Sequence, residues 1–118
     1  MPGIRFRGRT YGSPVELALE VIGGKWRMPI VLLVRKRSRR YGELKRALGR
    51  VTDAMLTKQL RDLEANGLLR RRVYAVVPPK VEYSITALGR ASIPAIEAMR
   101  AWGATYRRRA PRRRRPGR

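Results

Sequence analysis

Apolar residues recur at helical spacing in five stretches of the chain, and capping or helix-breaking residues separate these stretches. A pattern that repeats every three or four residues predicts an amphipathic helix. The expected helices run from the Ser13 cap to Gly23, over 25–36, over 41–48, from the Thr52 cap to Asn66–Gly67, and from the Thr86 cap through Tyr106. Pro94 should bend the last of these helices.

Two further stretches, 69–76 and 81–85, alternate apolar residues with polar or basic ones, which is typical of strands. Pro78, Pro79 and Lys80 lie between them, so we expect a hairpin whose tip is longer than a two-residue turn. Two helices a short turn apart, followed directly by a hairpin, predict a winged helix-turn-helix. The expected fold class is therefore mainly α with a small β-hairpin wing.

The same spacing predicts which positions are buried and where the domain ends. The inward positions are expected at Met55, Leu56, Leu60 and Leu63 of the fourth helix and at Leu44, Ala47 and Leu48 of the third. One domain should span residues 13–106. Residues 1–12 have no clear period and are expected to form a flexible basic arm, and residues 107–118 a disordered arginine-rich tail.

The charge balance points to the kind of partner. The 118 residues include 29 Lys and Arg against 8 Asp and Glu, a formal net charge of +21. Eleven of the arginines lie in the arm and the tail, and residues 10–106 keep a net charge of +10 without them. An excess of this size indicates a polyanion, and together with the expected fold it predicts binding to double-stranded DNA.

Two absences in the composition exclude several kinds of chemistry. The sequence contains no Cys, which excludes disulfides, thiolate nucleophiles and Cys-ligated zinc, and no His, which excludes imidazole catalysis and His-ligated metals. The sequence also shows no nucleophile–base pair, no Gly-rich phosphate loop after a strand and only scattered carboxylates, so we expect no enzyme activity, no metal site and no cofactor. The longest apolar run, 29–34, is too short to cross a bilayer, and no signal-peptide core is present, so we expect a cytoplasmic protein associated with the nucleoid.

The outer face of the fourth helix is the candidate surface for reading DNA. If its leucine stripe is buried, the opposite face carries Thr52, Asp53, Ala54, Thr57, Lys58 and Arg61. Short Thr and Ala side chains can approach thymine methyl groups, while Lys and Arg can reach guanine edges or phosphates. The alternative is an ordinary solvated helix face. The hairpin immediately downstream favours the DNA-facing interpretation.

Basic residues of the hairpin and of the approach to the third helix are candidates for flanking contacts. The wing offers Arg70, Arg71, Arg72 and Lys80, and the flanks offer Arg39, Arg40 and Lys45. Alternation places Arg70 and Arg72 on one face and Arg71 on the other, whereas Lys80 at the tip is the best candidate for a phosphate or minor-groove contact. Alternatively, these charges protect a sheet edge against aggregation.

The last helix has a long apolar side, and a domain this small offers too little further apolar surface to cover it. A two-fold homodimer would bury this side and would place two recognition helices on a palindrome. The candidate interface residues, on the first and last helices, are Val15, Leu19, Ile96, Met99, Trp102 and Tyr106. The alternative is packing against the first helix of the same chain.

A small-molecule effector is a further candidate partner. Its pocket would lie between the dimer helices and the DNA-binding lobe, with Trp26, Met28, Met99 and Trp102 as candidate lining residues. Apolar residues at helical spacing are more often plain core, so the composition of this lining does not by itself indicate a ligand site.

Several motifs, taken together and in order, resemble those of the HxlR-type winged helix-turn-helix transcriptional regulators, which are relatives of the MarR group. The matching segments are SPVELALEVIGGKWR (13–27), YGELKRAL (41–48), MLTKQLRDLEANGLLRR (55–71), VPPKVEYSITALGR (77–90) and Pro94 in the last helix. The resemblance covers residues 13–103. The arginine tail lies outside it.

The resemblance implies a homodimer built by the first and last helices, a fourth helix that reads the major groove, and a wing that touches the flanking minor groove. Members of this family commonly sense electrophiles or oxidants through a cysteine just before the first helix. Ser13 occupies that position here, and no other Cys is present to replace it. The usual thiol switch is therefore not expected in this chain.

Three functions remain to be compared. The leading interpretation is a dimeric, sequence-specific transcriptional regulator that acts as a repressor on a palindromic operator. The high charge and the two basic termini also fit a sequence-tolerant architectural protein of the nucleoid type. An RNA-binding protein ranks lower, because the sequence does not predict a sheet with exposed aromatics for base stacking.

Overall fold

A computed structural model describes residues 3–113. The helices are α1 (Pro14–Ile22), α2 (Arg27–Val34), α3 (Tyr41–Leu48), α4 (Asp53–Ala65), α5 (Ala87–Ala91) and α6 (Ile93–Arg109). The strands are β1 (Ile4–Phe6), β2 (Arg9–Tyr11), β3 (Arg39–Arg40), β4 (Leu69–Tyr74) and β5 (Lys80–Ile85). They form one two-stranded sheet, β1-β2, and one three-stranded sheet in the order β3-β5-β4. The predicted winged helix-turn-helix is confirmed.

Local signals at the ends of α3 and α4 place the helix-turn-helix. The Thr52 hydroxyl accepts a hydrogen bond from the Met55 amide at 3.1 Å, which caps α4 as predicted. Asn66 forms its C-cap, and Gly67 follows with a φ of 81°, a conformation that glycine adopts at little cost. Gly49 has a φ of 74° in the turn between the two helices. These residues set the length of α4 and its approach to the hairpin.

A single hydrophobic core lies under the helix-turn-helix. Leu56, Leu60 and Leu63 are between 0 and 2% exposed, which confirms the predicted stripe on α4. The predicted burial is wrong at two positions, because Met55 is 41% exposed and Ala47 lies on the outer side of α3. Successive helix positions lie about 100° apart, so Met55 is rotated away from the buried Leu56, and Ala47 away from the half-buried Leu48.

The wing is a three-stranded sheet rather than the predicted two-stranded ribbon. The sequence predicts no strand ahead of α3, but Arg39 pairs with Tyr83 and Arg40 with Glu82, which adds β3 to the outer edge of β5. A strand of two residues carries no periodicity of its own, so this pairing depends on the tertiary position of β5. Strand β4 also ends at Tyr74, two residues earlier than the predicted 76.

The N-terminal segment differs from the irregular arm that the sequence predicts. Residues 4–11 form an antiparallel hairpin in which Ile4 pairs with Tyr11 and Phe6 with Arg9. Its turn places Arg7 at a φ of 51° and Gly8 at 77°, the conformation of a tight hairpin turn. Tyr11 is 8% exposed, and Arg9 pairs with Glu20 of α1. The alternation of apolar and polar residues around Gly8 was the signal that could have predicted it.

The last predicted helix is divided, not merely bent. Helix α5 ends at Ala91 and α6 begins at Ile93, with Ser92 between them. Pro94 provides no backbone N–H and its ring crowds the carbonyl four residues earlier, which favours a new helix start at this point. The Ser92 hydroxyl donates to the Gly89 carbonyl at 2.6 Å and stabilises the junction.

The end of α6 lies within the segment that was expected to be a disordered tail. The helix continues to Arg109, so residues 107–109 are helical, and residues 110–113 have no regular structure. The remainder of the predicted tail, 114–118, lies outside the described residues, as do the first two residues of the predicted arm.

Candidate nucleic-acid interface

The outer face of α4 is a polar surface opposite the leucine stripe. Asp53, Ala54, Lys58 and Arg61 are exposed and Thr57 is half-buried. They line a shallow open depression of about 590 Å³ along the helix. Thr52, the remaining predicted residue, is exposed at the N-terminal end of α4 with its hydroxyl used in the cap. The structure therefore brings the predicted residues onto one continuous surface.

Asp53 holds two side chains of α3 at the N-terminal end of this face. Its carboxylate accepts a hydrogen bond from the Tyr41 hydroxyl at 2.7 Å and pairs with the Lys45 ammonium at 2.8 Å. These two bonds, Lys45 first, hold the pKa of Asp53 below its usual value. The same contacts raise the pKa of Lys45 and of Tyr41. Lys45, a predicted flank residue, is therefore a charged ammonium that is ion-paired with Asp53 in the protein alone.

Arg27 is a structural residue that sequence reasoning did not identify as part of this region. Its guanidinium donates to Gln59 at 2.8 Å and to Asp62 at 2.6 Å, both on α4. It also donates to the backbone carbonyl of Val21 at 3.0 Å, which links α1 to α4. A cation at the start of α2 is locally unfavourable, and that mismatch was the signal that it has a partner elsewhere.

Of the two cations on the outer face of α4, Lys58 is ion-paired and Arg61 is not. Lys58 is paired with Asp62 at 2.6 Å, and this bond is the main cause that lowers the pKa of Asp62. Within residues 3–113, by contrast, Arg61 makes no ion pair and no side-chain hydrogen bond. An exposed arginine with five free donors can bind a guanine edge or a phosphate without first breaking an internal contact.

One face of the wing is organised around Tyr74. The Arg72 guanidinium lies 4.7 Å and the Lys80 ammonium 4.8 Å from the centre of its ring. Lys80 also pairs with Glu82 at 2.9 Å, which is the main cause that lowers the pKa of Glu82. The Tyr74 ring thus holds Arg72, and the same ring together with the Glu82 carboxylate holds Lys80.

The arginines of β4 alternate as predicted. Arg70 pairs with Ser84 and Arg72 with Glu82, whereas Arg71 pairs with Tyr83, so the first two lie on one face and the third on the other. All three are exposed. They line the outer edge of the sheet, because β4 is paired on one side only within the described chain.

The two flanking arginines of β3 differ in their freedom to contact a partner. The Arg39 guanidinium donates to the Leu33 carbonyl at 2.9 Å and lies 3.8 Å from Glu43. Arg40 is exposed, and the backbone amide of Arg40 donates to the Glu43 carboxylate at 3.3 Å. Arg39 therefore contributes mainly to the fold, while the side chain of Arg40 is available at the surface.

The family model described as HxlR-like helix-turn-helix matches residues 21–111. This chain belongs to the HxlR family. As a member, it is a transcriptional regulator with a helix-turn-helix DNA-binding fold, and its relatives are named as regulators rather than as enzymes.

Relatives of this HxlR-family chain occur in bacteria and archaea. The HTH-type transcriptional regulator YybR of Bacillus subtilis (strain 168) is 46% identical over 96 residues, which are 81% of this chain and 77% of YybR. An HTH-type transcriptional regulator of Methanothermobacter thermautotrophicus is 41% identical over 96 residues, 81% of this chain and 73% of the relative. The redox regulator HypR in its reduced form has a similar structure, with a TM-score of 0.77, 46% identity, and coverage of 80% of this chain and 94% of HypR.

The candidate dimer surface of this HxlR-family chain is exposed in the protomer. Val15 and Leu19 of α1 are 66% and 53% exposed, and Trp102 and Tyr106 of α6 are 66% and 55% exposed. The two rings of α6 stack with their centroids 5.4 Å apart. Met99, on the same helix, is also exposed.

Ile96 does not belong to this surface. The sequence places it with the interface residues, but it is 2% exposed and packs in the core of its own protomer. The break at Ser92 turns the first part of α6 toward α2, so the inward position that would have faced a partner faces the domain instead.

The four residues expected to line an effector pocket are divided between core and surface. Trp26 belongs to the core and Met28 packs against it, whereas Met99 and Trp102 are exposed. Ser13, at the position of the family's usual cysteine, is the N-cap of α1 and accepts a hydrogen bond from the Glu16 amide. Its hydroxyl stabilises the helix start and carries no redox chemistry.

Among residues 3–113, no three of the Asp and Glu side chains lie close enough together to hold a metal ion. In the same part of the chain, none of the helices combines the length and the apolar character needed to cross a bilayer.

Proposed function

We propose that the chain acts as a homodimer that places α4 of each protomer in the major groove of a palindromic operator and represses transcription. The observation that carries the proposal is the two-sided structure of α4. Its inner side is fixed in the core by Leu56, Leu60 and Leu63, and its outer side presents Thr57, Lys58 and Arg61. A helix held this firmly can present base-reading side chains with little loss of conformational freedom.

The rest of the proposed interface surrounds this helix. The wing supplies Arg70, Arg71, Arg72 and Lys80 for phosphate or minor-groove contacts, and Arg40 with Lys45 supplies the opposite flank. The exposed apolar residues of α1 and α6 support a two-fold partner that would double the contact. Repression by occupying the operator needs no further element, so we favour it over activation.

Base reading by α4 is tested by the variant Arg61→Ala. An operator would first be selected from a random duplex library by repeated binding and amplification. A good arginine–guanine contact is worth about 1–3 kcal/mol, so affinity for that operator should fall roughly 10- to 100-fold. Affinity for random duplex should change far less, because phosphate contacts elsewhere remain.

Arg100→Ala is the matched control, since it removes the same charge from α6. Fluorescence anisotropy at one salt concentration measures both DNAs. An equal loss on operator and random duplex by Arg61→Ala would contradict its role as a base reader.

The second candidate function, a sequence-tolerant architectural protein, is favoured by the arginines after α6. Trimming residues 110–118 keeps all of α6 and removes five arginines. For the regulator, operator affinity should fall modestly and the salt dependence should become shallower, while preference for the operator is kept. Complete loss of DNA binding on trimming would favour the architectural function.

Several finer properties accompany the proposal. We expect the protein at the nucleoid, without a cofactor and without enzyme activity, because DNA binding needs neither. HypR is described as a redox regulator. The present chain differs, because its 118 residues contain no Cys and therefore no thiol whose oxidation could be its inducing signal.

A further inference from the structure

The tip of the wing, residues 75–79, is apolar throughout. It joins β4 to β5 and consists of Ala75, Val76, Val77, Pro78 and Pro79, whose side chains carry no hydrogen-bonding group. All five are exposed, and Val77 is 100% exposed. Exposed turns usually contain Gly, Asn, Asp or Ser, and contiguous exposed apolar residues commonly mark a contact surface. The composition of the wing tip therefore indicates a partner.

The backbone of the wing tip is restricted before any partner binds. The rings of Pro78 and Pro79 each fix the φ angle of their own residue. The Val76 amide donates to the Tyr74 carbonyl at 2.9 Å, which holds the turn at the end of β4. A restricted segment loses little conformational entropy on binding, so its apolar contacts contribute more of their free energy to affinity.

Two cations lie at the base of the wing tip. Arg72 and Lys80 are 4.7 and 4.8 Å from the centre of the Tyr74 ring, and the Tyr74 hydroxyl donates to Glu82 at 3.2 Å. Tyr74 is directly paired with Lys80 across the hairpin, so these side chains share one face of the sheet. An apolar wedge with cations behind it is complementary to the minor groove of DNA, where sugars form the walls and phosphates line the rims.

We propose that the wing tip selects A·T over G·C pairs in the minor groove that flanks the operator half-site. This inference rests on the proposed function, which already places the wing at that groove, and it adds which base pairs the tip accepts. Guanine projects its N2 amino group into the minor groove, whereas A·T pairs present only the acceptors adenine N3 and thymine O2. Val77 and Pro78 would collide with the amino group and cannot accept its hydrogen bond. Arg72 and Lys80 can donate to the acceptors of A·T pairs.

The cations alone would give a weaker preference of the same sign. A-tracts have a narrow minor groove with an enhanced negative potential, which attracts Arg and Lys without any contact from the apolar tip. The variant Val77→Ser distinguishes the two causes. It keeps Arg72, Lys80 and both prolines, and it gives the tip a hydroxyl that can accept a hydrogen bond from the guanine amino group.

The test compares three versions of the selected operator that differ only in the flanking pairs, which are A·T, G·C or inosine·cytosine. Inosine is guanine without the N2 amino group, so inosine·cytosine resembles G·C in the major groove and A·T in the minor groove. Fluorescence anisotropy with the full chain at one salt concentration should show similar affinity for the A·T and inosine·cytosine flanks. Affinity for the G·C flanks should be about fivefold lower or less, as for one unfavourable base pair.

Val77→Ser should bring the affinities for G·C and inosine·cytosine flanks to within about twofold, because the clash is smaller and the amino group gains an acceptor. Val73→Ser is the matched control, since it makes the same change at a 54% exposed position of β4, outside the tip. It should keep the wild-type difference between the two flanks. Circular dichroism of both variants should match that of the wild type.

Equal affinity of the wild type for G·C and inosine·cytosine flanks would overturn the proposal, and so would a difference that persists unchanged in Val77→Ser. Weaker self-association of Val77→Ser in sedimentation would also overturn it, since the wing tip would then contact a second copy of the chain. If the selection returns no operator, the proposed function fails. Alternating G·C and inosine·cytosine duplexes then decide the amino-group preference of the same variants without an operator.

Discussion

At the scale of single residues, Asp53 is the least expected member of the α4 face. A carboxylate on the surface that we propose for DNA would repel phosphate, yet here it binds Lys45 and Tyr41 at hydrogen-bond distance. The pair lowers the attraction of this end of α4 for any phosphate, which is a cost in affinity. In the proposed interface it would also suppress binding that is independent of sequence, since Lys45 would have to leave Asp53 before it contacted DNA.

Asp53→Asn should therefore increase affinity for random duplex more than affinity for the operator. Releasing Lys45 adds about one phosphate contact, so the slope of log affinity against log salt should steepen by about 0.9. Anisotropy titrations over a salt series measure it. Glu64→Gln removes the same charge from an exposed α4 position, and equal slopes for the two variants would rule out a specific role for Asp53.

At the scale of elements, α5 approaches the start of β4 unusually closely, and Gly89 makes this approach feasible. A Cβ at Gly89 would lie 2.3 Å from the Leu68 carbonyl oxygen and 2.8 Å from a side-chain carbon of Ile85. The Thr86 hydroxyl adds hydrogen bonds to the Gly67 and Leu68 carbonyls at 2.6 and 3.1 Å. Helix α5 thus joins the wing to the end of α4.

Gly89→Ala should lower the free energy of unfolding by about 1–3 kcal/mol, because the methyl group overpacks against backbone. Urea unfolding at a fixed protein concentration measures the change. Gly42→Ala is the control, since its Cβ meets only the flexible end of Arg46 at 3.3 Å and alanine favours the helix by up to about 1 kcal/mol. Equal stability of the two variants would show that α5 adapts to the added methyl group.

The elements that the sequence predicts well are those with local signals. Thr52, Asn66 and the leucine spacing determine α4, and they also determine which residues its outer face carries. Where pairing is long-range the sequence is uninformative, as for β3, whose two residues become a strand only because β5 lies beside them. Arg27 is similar, because its partners on α4 are more than thirty positions away.

At the scale of the whole molecule, α6 extends from the domain. The protomer measures 62 × 39 × 25 Å, and the exposed aromatics Trp102 and Tyr106 lie on the later turns of a 17-residue helix. A helix of that length that is anchored by Ile96 near its start leaves most of its apolar side to solvent. We therefore regard the isolated protomer as incomplete.

Trp102→Glu should convert the proposed dimer into the 13.6 kDa protomer, since two carboxylates would be buried at a symmetric contact. Analytical ultracentrifugation measures the mass. Affinity for a palindrome should fall to that for a single half-site. Val77→Glu, at a fully exposed position of the wing, makes the same charge change and should leave the mass unaltered. An unchanged mass in Trp102→Glu would show that α6 is not the dimer contact.

Strand β5 is paired on both edges, with β3 on one side and β4 on the other. Because β3 leads directly into Tyr41 at the start of α3, the wing cannot swing away from the helix-turn-helix without breaking backbone hydrogen bonds. In the proposed interface, the wing and α4 would therefore be held at a fixed distance from each other. Duplexes whose groove width matches this distance would be bound without distortion. Duplexes with a different groove width would have to bend, and the stiffer they are, the more affinity they would lose.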